Sequence, residues 1–211
     1  MSINTILFDL DGTLLDSNEL IHQSFVHTFN HHGYSFTREE IVAFNGPPLI
    51  KTFSKLNPNT AEEMIQTYRT HNLEHHNKYV KLFPNVKETL KKLHAHGFKM
   101  GIVSTKMRPG VMLGLEFTEI NRFFDTIVTI DDVNNAKPHP EPVLKAMKNL
   151  DGSPTTSIMV GDNYHDIESG KNAGLKTVGV AWSLKGEEYL RQFNPTYMVN
   201  DMRDLLPIVG V

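Results

Sequence analysis

The fold is decided near the N-terminus by the stretch Ile3–Thr13, which reads INTILFDLDGT. A short apolar run ends at the carboxylate of Asp9, and the turn residue Gly12 follows three positions later. Short apolar runs bounded by turn residues are typical of strands that are buried in a parallel sheet. Because ligands bind outside the carboxyl ends of such strands, Asp9 and Asp11 stand where chemistry is expected.

The chain from residue 82 onward alternates between helical and strand patterns. A helix is predicted over 86–96, where Gly97 ends it. Four further apolar stretches are predicted strands: Phe98–Val103, Thr126–Ile130, Ile158–Val160 and Thr177–Ala181. Strands that alternate with helices indicate parallel βαβ units. We therefore expect an α/β fold, with a doubly wound, mostly parallel Rossmann-like core sheet built from residues 1–14 and 82–211.

Residues 15–81 interrupt this core with a helical pattern. Three stretches have the spacing of a capping box, with glutamate three residues after the first position: Asp16–Glu19, Thr37–Glu40 and Thr60–Glu63. Between them, Gly46–Pro48 and Asn57–Asn59 break the helices. The pattern predicts a small helical cap domain that is inserted after the first strand.

Composition narrows the classes of partner. The 211 residues carry 21 basic and 24 acidic side chains, a net charge of −3, without a basic stripe that would favour nucleic acid. No apolar stretch approaches the ~20 residues of a membrane span, and the N-terminus lacks the pattern of a signal peptide. With no cysteine, the chain fits a reducing compartment. We expect a cytoplasmic monomer that acts on a small molecule.

Polar side chains follow the predicted strands at the point where each strand ends. They are Asp9 and Asp11 after the first strand, Ser104 and Thr105 after Val103, Lys137 after Ile130, and Asp162 and Asp166 after Val160. The carboxyl ends of parallel strands meet at one edge of a sheet, so these side chains are expected to converge there.

This set of residues favours phosphoryl transfer to a carboxylate. Asp9 is predicted to attack phosphorus and form an aspartyl-phosphate, while Asp11 protonates the leaving group and then activates water. Mg²⁺ is usually bound by only a few protein oxygens and keeps several of its water ligands. We predict that it is held by the Asp9 carboxylate, the main-chain carbonyl of Asp11 and Asp162, with Asp166 close by or acting through water.

Two further predictions concern the phosphate. Lys137 supplies a point charge that suits both phosphate and carboxylate, and the neighbouring Pro138 restricts its backbone. Ser104 is expected to donate a hydrogen bond to a phosphoryl oxygen, with Thr105 beside it and backbone N–H groups at a helix start.

Four motifs resemble, in order and spacing, those of the haloacid-dehalogenase-like superfamily. They are Asp9-x-Asp11-Gly12-Thr13, Ser104 after an apolar strand, Lys137-Pro138, and Gly161-Asp162-x-x-x-Asp166. The helical insert after the first motif is similar to the small cap of that superfamily. One departure is Ser104, where many relatives carry threonine, but the hydroxyl is kept.

Within the superfamily, the whole chain is most similar to a diphosphatase branch known from Gram-positive bacteria. The resemblance covers residues 8–15, 46–49, 64–70, 135–143, 159–166, 171–174 and 179–182. It implies Mg²⁺-dependent hydrolysis of inorganic diphosphate to two phosphates. It also implies a role in clearing the diphosphate that is released when seryl phosphate is removed from the phosphocarrier HPr.

Residues of the insert are candidates for contacts with the distal phosphate. Gly46 lies in a break between helices that could form a loop facing the substrate, and Lys51 and Arg69 are candidate cations. Seven of the 11 histidines fall in the insert, including the i, i+4 pair His71 and His75. No carboxylate or cysteine completes a zinc-like set with them, so we expect a solvated helix surface.

Two other functions compete with a diphosphatase. A small-molecule phosphomonoesterase of the phosphoglycolate phosphatase kind shares all four motifs, and the cap residues decide between the two substrates. A regulator that binds a phosphorylated ligand without turning it over needs no acid–base residue. The presence of Asp11 therefore argues against a silent binding protein.

Overall fold

A computed structural model describes residues 2–211. Contacts between Cα atoms divide the chain into two compact units. The core unit joins the N-terminal residues up to Asp16 with Leu82–Val211, and the helical unit is Ser17–Lys81. We propose that these units are the core and the insert that the sequence predicts.

The core unit is built on a parallel sheet. The strands of the described chain are β1 (Thr5–Phe8), β2 (Leu15–Asp16), β3 (Lys81–Leu82), β4 (Lys99–Val103), β5 (Thr126–Val128), β6 (Ser157–Gly161), β7 (Lys176–Val180) and β8 (Tyr197–Val199). Six of them form one sheet in the order β5-β4-β1-β6-β7-β8, and every neighbouring pair is parallel. The predicted α/β fold is confirmed. The short strands β2 and β3 pair separately.

Strand β1 lies in the middle of this sheet. All four of its residues are fully buried, and Phe8 lies in register with Ile102 of β4 and Val160 of β6. A strand with neighbours on both sides and helices on the faces of the sheet has no contact with water, which explains its apolar sequence. Asp9 directly follows β1, so it lies at the centre of the carboxyl edge of the sheet.

Helices flank the sheet and make up the helical unit. They are α1 (Asn18–His31), α2 (Arg38–Phe44), α3 (Leu49–Leu56), α4 (Ala61–Tyr79), α5 (Val86–Ala95), α6 (Arg108–Phe117), α7 (Glu141–Asn149), α8 (Tyr164–Asn172), α9 (Glu187–Arg191) and α10 (Leu205–Val209). Short 3₁₀ turns occur at Asn121–Phe123, Ile130–Asp132 and Met202–Asp204. No helix within residues 2–211 is both long and apolar enough to cross a lipid bilayer.

The strand predictions differ from the structure at several points. The strand expected over 126–130 ends at Val128 because the Thr129 N–H and hydroxyl both donate to Asp132, at 2.8 Å each, and start a 3₁₀ turn. Strand β8, like the two-residue strands β2 and β3, is not predicted at all. It has three residues, of which only Val199 is fully buried, so its apolar pattern is too short to recognise.

The helical unit has an aromatic core of its own. The ring of Phe25 lies 5.6 Å from that of Phe29, 5.9 Å from Phe53 and 4.9 Å from Tyr68, measured between centroids. These rings join residues of α1, α3 and α4. Burial of each such side chain contributes roughly 1.5–3 kcal/mol, so the insert has a core that does not depend on the sheet.

Only one of the three predicted capping boxes forms. The Thr37 hydroxyl accepts from the Glu40 N–H at 3.3 Å, and the Thr37 N–H donates to the Glu40 carboxylate at 2.7 Å. Helix α1 instead starts after Ser17 and α4 after Thr60, and neither side chain caps its helix. A side chain at the N-cap reaches the N3 amide when the backbone of the N-cap residue is extended. Thr37 has such a backbone, with ψ 167°, whereas ψ is 9° at Ser17 and 5° at Thr60.

Four histidines form a stacked row on the surface of the helical unit: His31, His27, His71 and His75. The ring of His71 lies 4.5 Å from that of His27 and 4.2 Å from that of His75, and both pairs are nearly parallel. The Nδ1 of His71 lies 3.1 Å from the Ser24 hydroxyl. Partial burial, then the neighbouring His75 and His27, lower the pKa of His71.

This row predicts that the stability of the protein depends on pH. Because the pKa of His71 is lower in the folded chain, the unfolded chain takes up its proton first as the pH falls below about 6.5. We expect the midpoint of guanidinium unfolding to fall between pH 7.5 and 5, and His71→Phe to reduce that fall. The matched control is His94→Gln, at an exposed position of α5. An equal pH dependence in His71→Phe and the wild type would contradict this explanation.

Candidate active site

The structure brings polar side chains to the carboxyl edge of three adjacent strands. The Asp9 N–H donates to the Val160 carbonyl at 2.9 Å, which continues the pairing of β1 with β6 by one residue. The Ser104 N–H donates to the Val128 carbonyl at 2.9 Å in the same way at the end of β4. Asp162 directly follows β6. Backbone hydrogen bonds therefore fix the positions of the Cα atoms that carry these side chains.

Lys137 lies at the centre of the site and is 2% exposed. Its ammonium donates to Asp9 Oδ1 at 2.7 Å, to Asp166 Oδ1 at 2.6 Å and to the Val103 carbonyl at 2.7 Å. An ammonium has three N–H donors, and all three are used. The lysine thus links the ends of β1 and β4 to the first turn of α8.

The buried carboxylates carry more negative charge than this lysine offsets. Burial raises the pKa of Asp9 to about 7, because it outweighs the nearby Lys137 charge. Burial, then the charges of Asp9 and Asp166, hold the pKa of Asp162 well above its usual range. The pKa of Lys137 is raised, since Asp166 and Asp9 stabilise its charge against the effect of burial. The site therefore favours a further cation or bound protons.

The same carboxylates have the geometry of a metal site. Asp9, Asp162 and Asp166 offer ligand oxygens that all lie within 4.8 Å of one another. Within residues 2–211 no hydrogen-bond donor contacts the Asp162 carboxylate, although the residue is only 6% exposed. Asp166 is engaged at both oxygens, since Oδ2 accepts from the Asn163 N–H at 3.0 Å. A hard divalent cation fits such oxygen donors, with Asp162 the most available one, while Asp9 Oδ2 accepts only a long hydrogen bond, 3.4 Å, from the Thr13 hydroxyl.

Gly12 lets the first motif approach Asp162. Its φ of +86° is in the left-handed region, where residues with a side chain are strained. A Cβ on Gly12 would lie 2.4 Å from Asp162 Oδ2. The glycine is therefore required both for the turn after Asp11 and for space beside the candidate metal ligand.

Asp11 occupies the more open side of the site. Its Oδ1 lies 3.3 Å from the ammonium of Lys106, and both side chains are partly exposed. Sequence reasoning places Asp11 at this edge but does not single out Lys106. The available signal is its position two residues after Ser104, on the loop that leaves the same edge of the sheet.

Ser104 is buried, and its hydroxyl oxygen accepts from the Lys106 N–H at 3.2 Å. Thr105, next to it, is partly exposed on the same loop. The structure also shows a supporting contact that sequence reasoning missed, in which the Ser183 hydroxyl donates to the main-chain carbonyl of Asp162 at 2.7 Å. His165 is buried, with Nδ1 3.1 Å from Asn163 Oδ1, and it takes no part in the carboxylate cluster.

The candidate residues of the insert lie in the helical unit. Gly46 has a φ of +115° in the break before α3, Lys51 is exposed on α3, and Arg69 is partly exposed on α4. Their proposed contact with the distal phosphate stays a prediction. The histidine row of the same unit is absent from the metal-ligand clusters of residues 2–211.

Comparison with known proteins supports the superfamily resemblance. Residues 6–180 match the model of the family described as haloacid dehalogenase-like hydrolase. A relative from Oceanobacillus iheyensis, named pyrophosphatase PpaX, is 53% identical over 210 residues, which cover 100% of this chain and 98% of the relative. A protein of the same name from Bacillus pumilus is 54% identical, and the match covers 99% of this chain and 97% of that protein.

Solved structures agree with the sequence relatives. A haloacid dehalogenase-like hydrolase from Bacteroides fragilis matches with a TM-score of 0.90 at 28% identity, over 96% of this chain and 99% of that one. The family match spans most of the chain, and the fold and the order of the motifs agree with it. This chain belongs to the haloacid dehalogenase-like hydrolase family.

Proposed function

We propose that this hydrolase is a Mg²⁺-dependent inorganic diphosphatase that works through an aspartyl-phosphate on Asp9. The observation that supports the chemistry is the buried arrangement of Asp9, Lys137 and Asp162 at one edge of the sheet, with Asp11 on its open side. Support for the substrate comes from full-length relatives named pyrophosphatase PpaX at 53% and 54% identity.

Asp9, Asp162 and the main-chain carbonyl of Asp11 are the proposed metal ligands, with Asp166 close by or acting through water. When bound, Mg²⁺ supplies the positive charge that keeps the carboxylates ionised and offsets the charge of the phosphoryl oxygens. This proposal accounts for the raised pKa of Asp9, about 7, and for the pKa of Asp162, which burial holds well above its usual range.

The reaction then follows from the positions of two carboxyl groups. A carboxylate oxygen of Asp9 bonds to phosphorus while the bond from phosphorus to the bridging oxygen breaks. Protonated Asp11 gives its proton to that bridging oxygen, and the first phosphate leaves. Asp11 next takes a proton from water, whose oxygen bonds to phosphorus as the bond to Asp9 breaks. The second phosphate leaves, and both residues return to their starting states.

Lys137 and Ser104 assist without changing covalently. Lys137 holds Asp9 through a 2.7 Å hydrogen bond and keeps its carboxylate oriented as the nucleophile. The Ser104 hydroxyl is proposed to donate to a phosphoryl oxygen, while its own oxygen accepts from the backbone N–H of Lys106. The resemblance to the diphosphatase branch further supports a role in clearing the diphosphate that is released during dephosphorylation of seryl phosphate on HPr.

A phosphate-release assay with Mg²⁺ tests the reaction and its substrate. We expect diphosphate to be preferred over phosphoglycolate and acetyl phosphate, and Asp9→Asn to lower turnover of every substrate by at least about 10⁴-fold. Asp11→Asn should keep some single-turnover cleavage of diphosphate, because phosphate is a fair leaving group. The control is Asp151→Asn, at an exposed aspartate. Preference for phosphoglycolate would instead favour a phosphomonoesterase, and no turnover at all would favour a silent binding protein.

Metal binding has a readout that does not depend on activity. Titration of Mg²⁺ at pH 7 should release protons and bind more tightly as the pH rises from 6 to 8, because Asp9 loses its proton with a pKa of about 7. Bound Mg²⁺ should also raise the melting temperature of the wild type.

Asp162→Asn provides the matched variant for this titration. It should abolish the Mg²⁺ effect and raise the melting temperature of the metal-free protein, since it removes a carboxylate whose ionisation is penalised by burial. Each kcal/mol relieved corresponds to about 2–4 °C in a chain of this size. Mg²⁺ that stabilises Asp162→Asn as much as the wild type or the Asp151→Asn control would contradict the proposed ligand set.

A further inference from the structure

Lys106 is the cation beside the proposed general acid. Its Nζ lies 3.3 Å from Asp11 Oδ1, and the side chains of the lysine and the aspartate are 21% and 16% exposed. Lys106 therefore lies at the open side of the site, where a ligand can reach it. The reaction proposed above leaves this residue without a role.

The position of Lys106 is fixed at its backbone and along its stem. Its N–H donates to the Ser104 hydroxyl at 3.2 Å, and its carbonyl accepts from the Ile130 N–H at 3.3 Å. Its stem runs over Gly110, a buried residue of α6, where a Cβ would lie 2.9 Å from the lysine Cε. The absence of a side chain at Gly110 thus leaves the space that the lysine stem occupies on its way to Asp11.

Lys106 and Lys137 differ in how many N–H donors of the ammonium group already have an acceptor within the described residues. All three N–H donors of Lys137 are used by two carboxylates and a carbonyl, so it is committed to holding the site together. Within residues 2–211 the ammonium of Lys106 contacts one carboxylate, at 3.3 Å, which is longer than the roughly 2.7–2.9 Å of a strong charged hydrogen bond. It can therefore accept a second anion while it remains beside Asp11.

The group that Asp11 protonates is the leaving group, so a cation beside Asp11 lies on the leaving-group side of the reaction. In diphosphate the leaving group is itself a phosphate that carries negative charge next to a carboxyl group. In most phosphate monoesters the leaving group carries no phosphate. Positive charge at this point therefore favours binding of diphosphate, because its leaving group is charged, and gives no such advantage to a simple monoester.

We propose that Lys106 binds the leaving phosphate of diphosphate and thereby gives the enzyme selectivity for diphosphate over monoesters with uncharged leaving groups. This inference rests on the proposed diphosphatase function and adds a substrate-binding residue to it. Lys106 acts on the substrate directly, and Gly110 acts as a positioning residue through Lys106.

The test compares two substrates in the full-length protein with saturating Mg²⁺. Lys106→Met removes the charge and keeps an apolar stem over Gly110. A charge-assisted hydrogen bond contributes on the order of 1.5–3 kcal/mol, so kcat/KM for diphosphate should fall about 10- to 100-fold, mostly through a higher KM. For p-nitrophenyl phosphate, kcat/KM should change by less than about threefold.

Gly110→Ala is the second variant, and it keeps the charge while it displaces the lysine stem. It should lower kcat/KM for diphosphate in the same direction as Lys106→Met, with a smaller effect on p-nitrophenyl phosphate. The control is Lys87→Met, which removes another partly exposed lysine paired with a carboxylate, Glu119 at 2.7 Å, away from the strand ends. It should leave both substrates unchanged.

The outcomes separate this inference from the function on which it rests. Equal losses for both substrates in Lys106→Met would mean that the lysine acts through Asp11 on every reaction, which overturns the inference and leaves the diphosphatase proposal intact. A kcat/KM for diphosphate that does not change in Lys106→Met would overturn it as well. A wild-type protein that does not cleave diphosphate would remove the proposed function and this inference together.

Discussion

The structure of the site depends on one buried ammonium group. Lys137 contacts Asp9, Asp166 and the Val103 carbonyl within 2.7 Å, and so it joins two strand ends to the start of α8. Loss of one partner of a buried pair typically costs about 3–5 kcal/mol, because the other charge is left without compensation. The orientation of Asp9 is therefore maintained by the same interaction that holds this edge of the core together.

The positive charges of Lys137 and Lys185 do not balance three buried carboxylates, and this imbalance links the stability of the protein to its proposed function. Burial raises the pKa of Asp9 to about 7 and that of Asp162 well above its usual range, so the metal-free site is poor at holding all its charge. The proposed divalent cation would relieve this penalty and would place positive charge beside the phosphoryl group in the proposed reaction. A site that destabilises the metal-free protein is thus well suited to bind a cation and an anionic substrate together.

The fold could be predicted from the sequence where burial produces a long or regular pattern. Strand β1 is apolar because it is central, and Asp9 ends it, so both the sheet and the position of the carboxylate are predictable. Strand β8 has only three residues, of which two are partly exposed, and leaves no such pattern. The capping box predicted at Asp16 does not form because α1 starts one residue later, with Ser17 at the N-cap, and residue spacing does not fix that position. Similarly, the contact between Lys106 and Asp11 joins residues 95 positions apart through a lysine stem that occupies the space left by Gly110. The roles of Gly46, Lys51 and Arg69 stay predictions, since they depend on the substrate.

The most direct test of the central claim is to locate the cation itself. Crystals of the wild-type protein soaked in Mn²⁺ should show one strong anomalous peak in contact with the carboxylates of Asp9 and Asp162, with the ammonium of Lys137 still bonded to Asp9. Occupied Mn²⁺ sites elsewhere with no peak between these two carboxylates, or an Asp9 side chain turned into the apolar interior, would contradict the account.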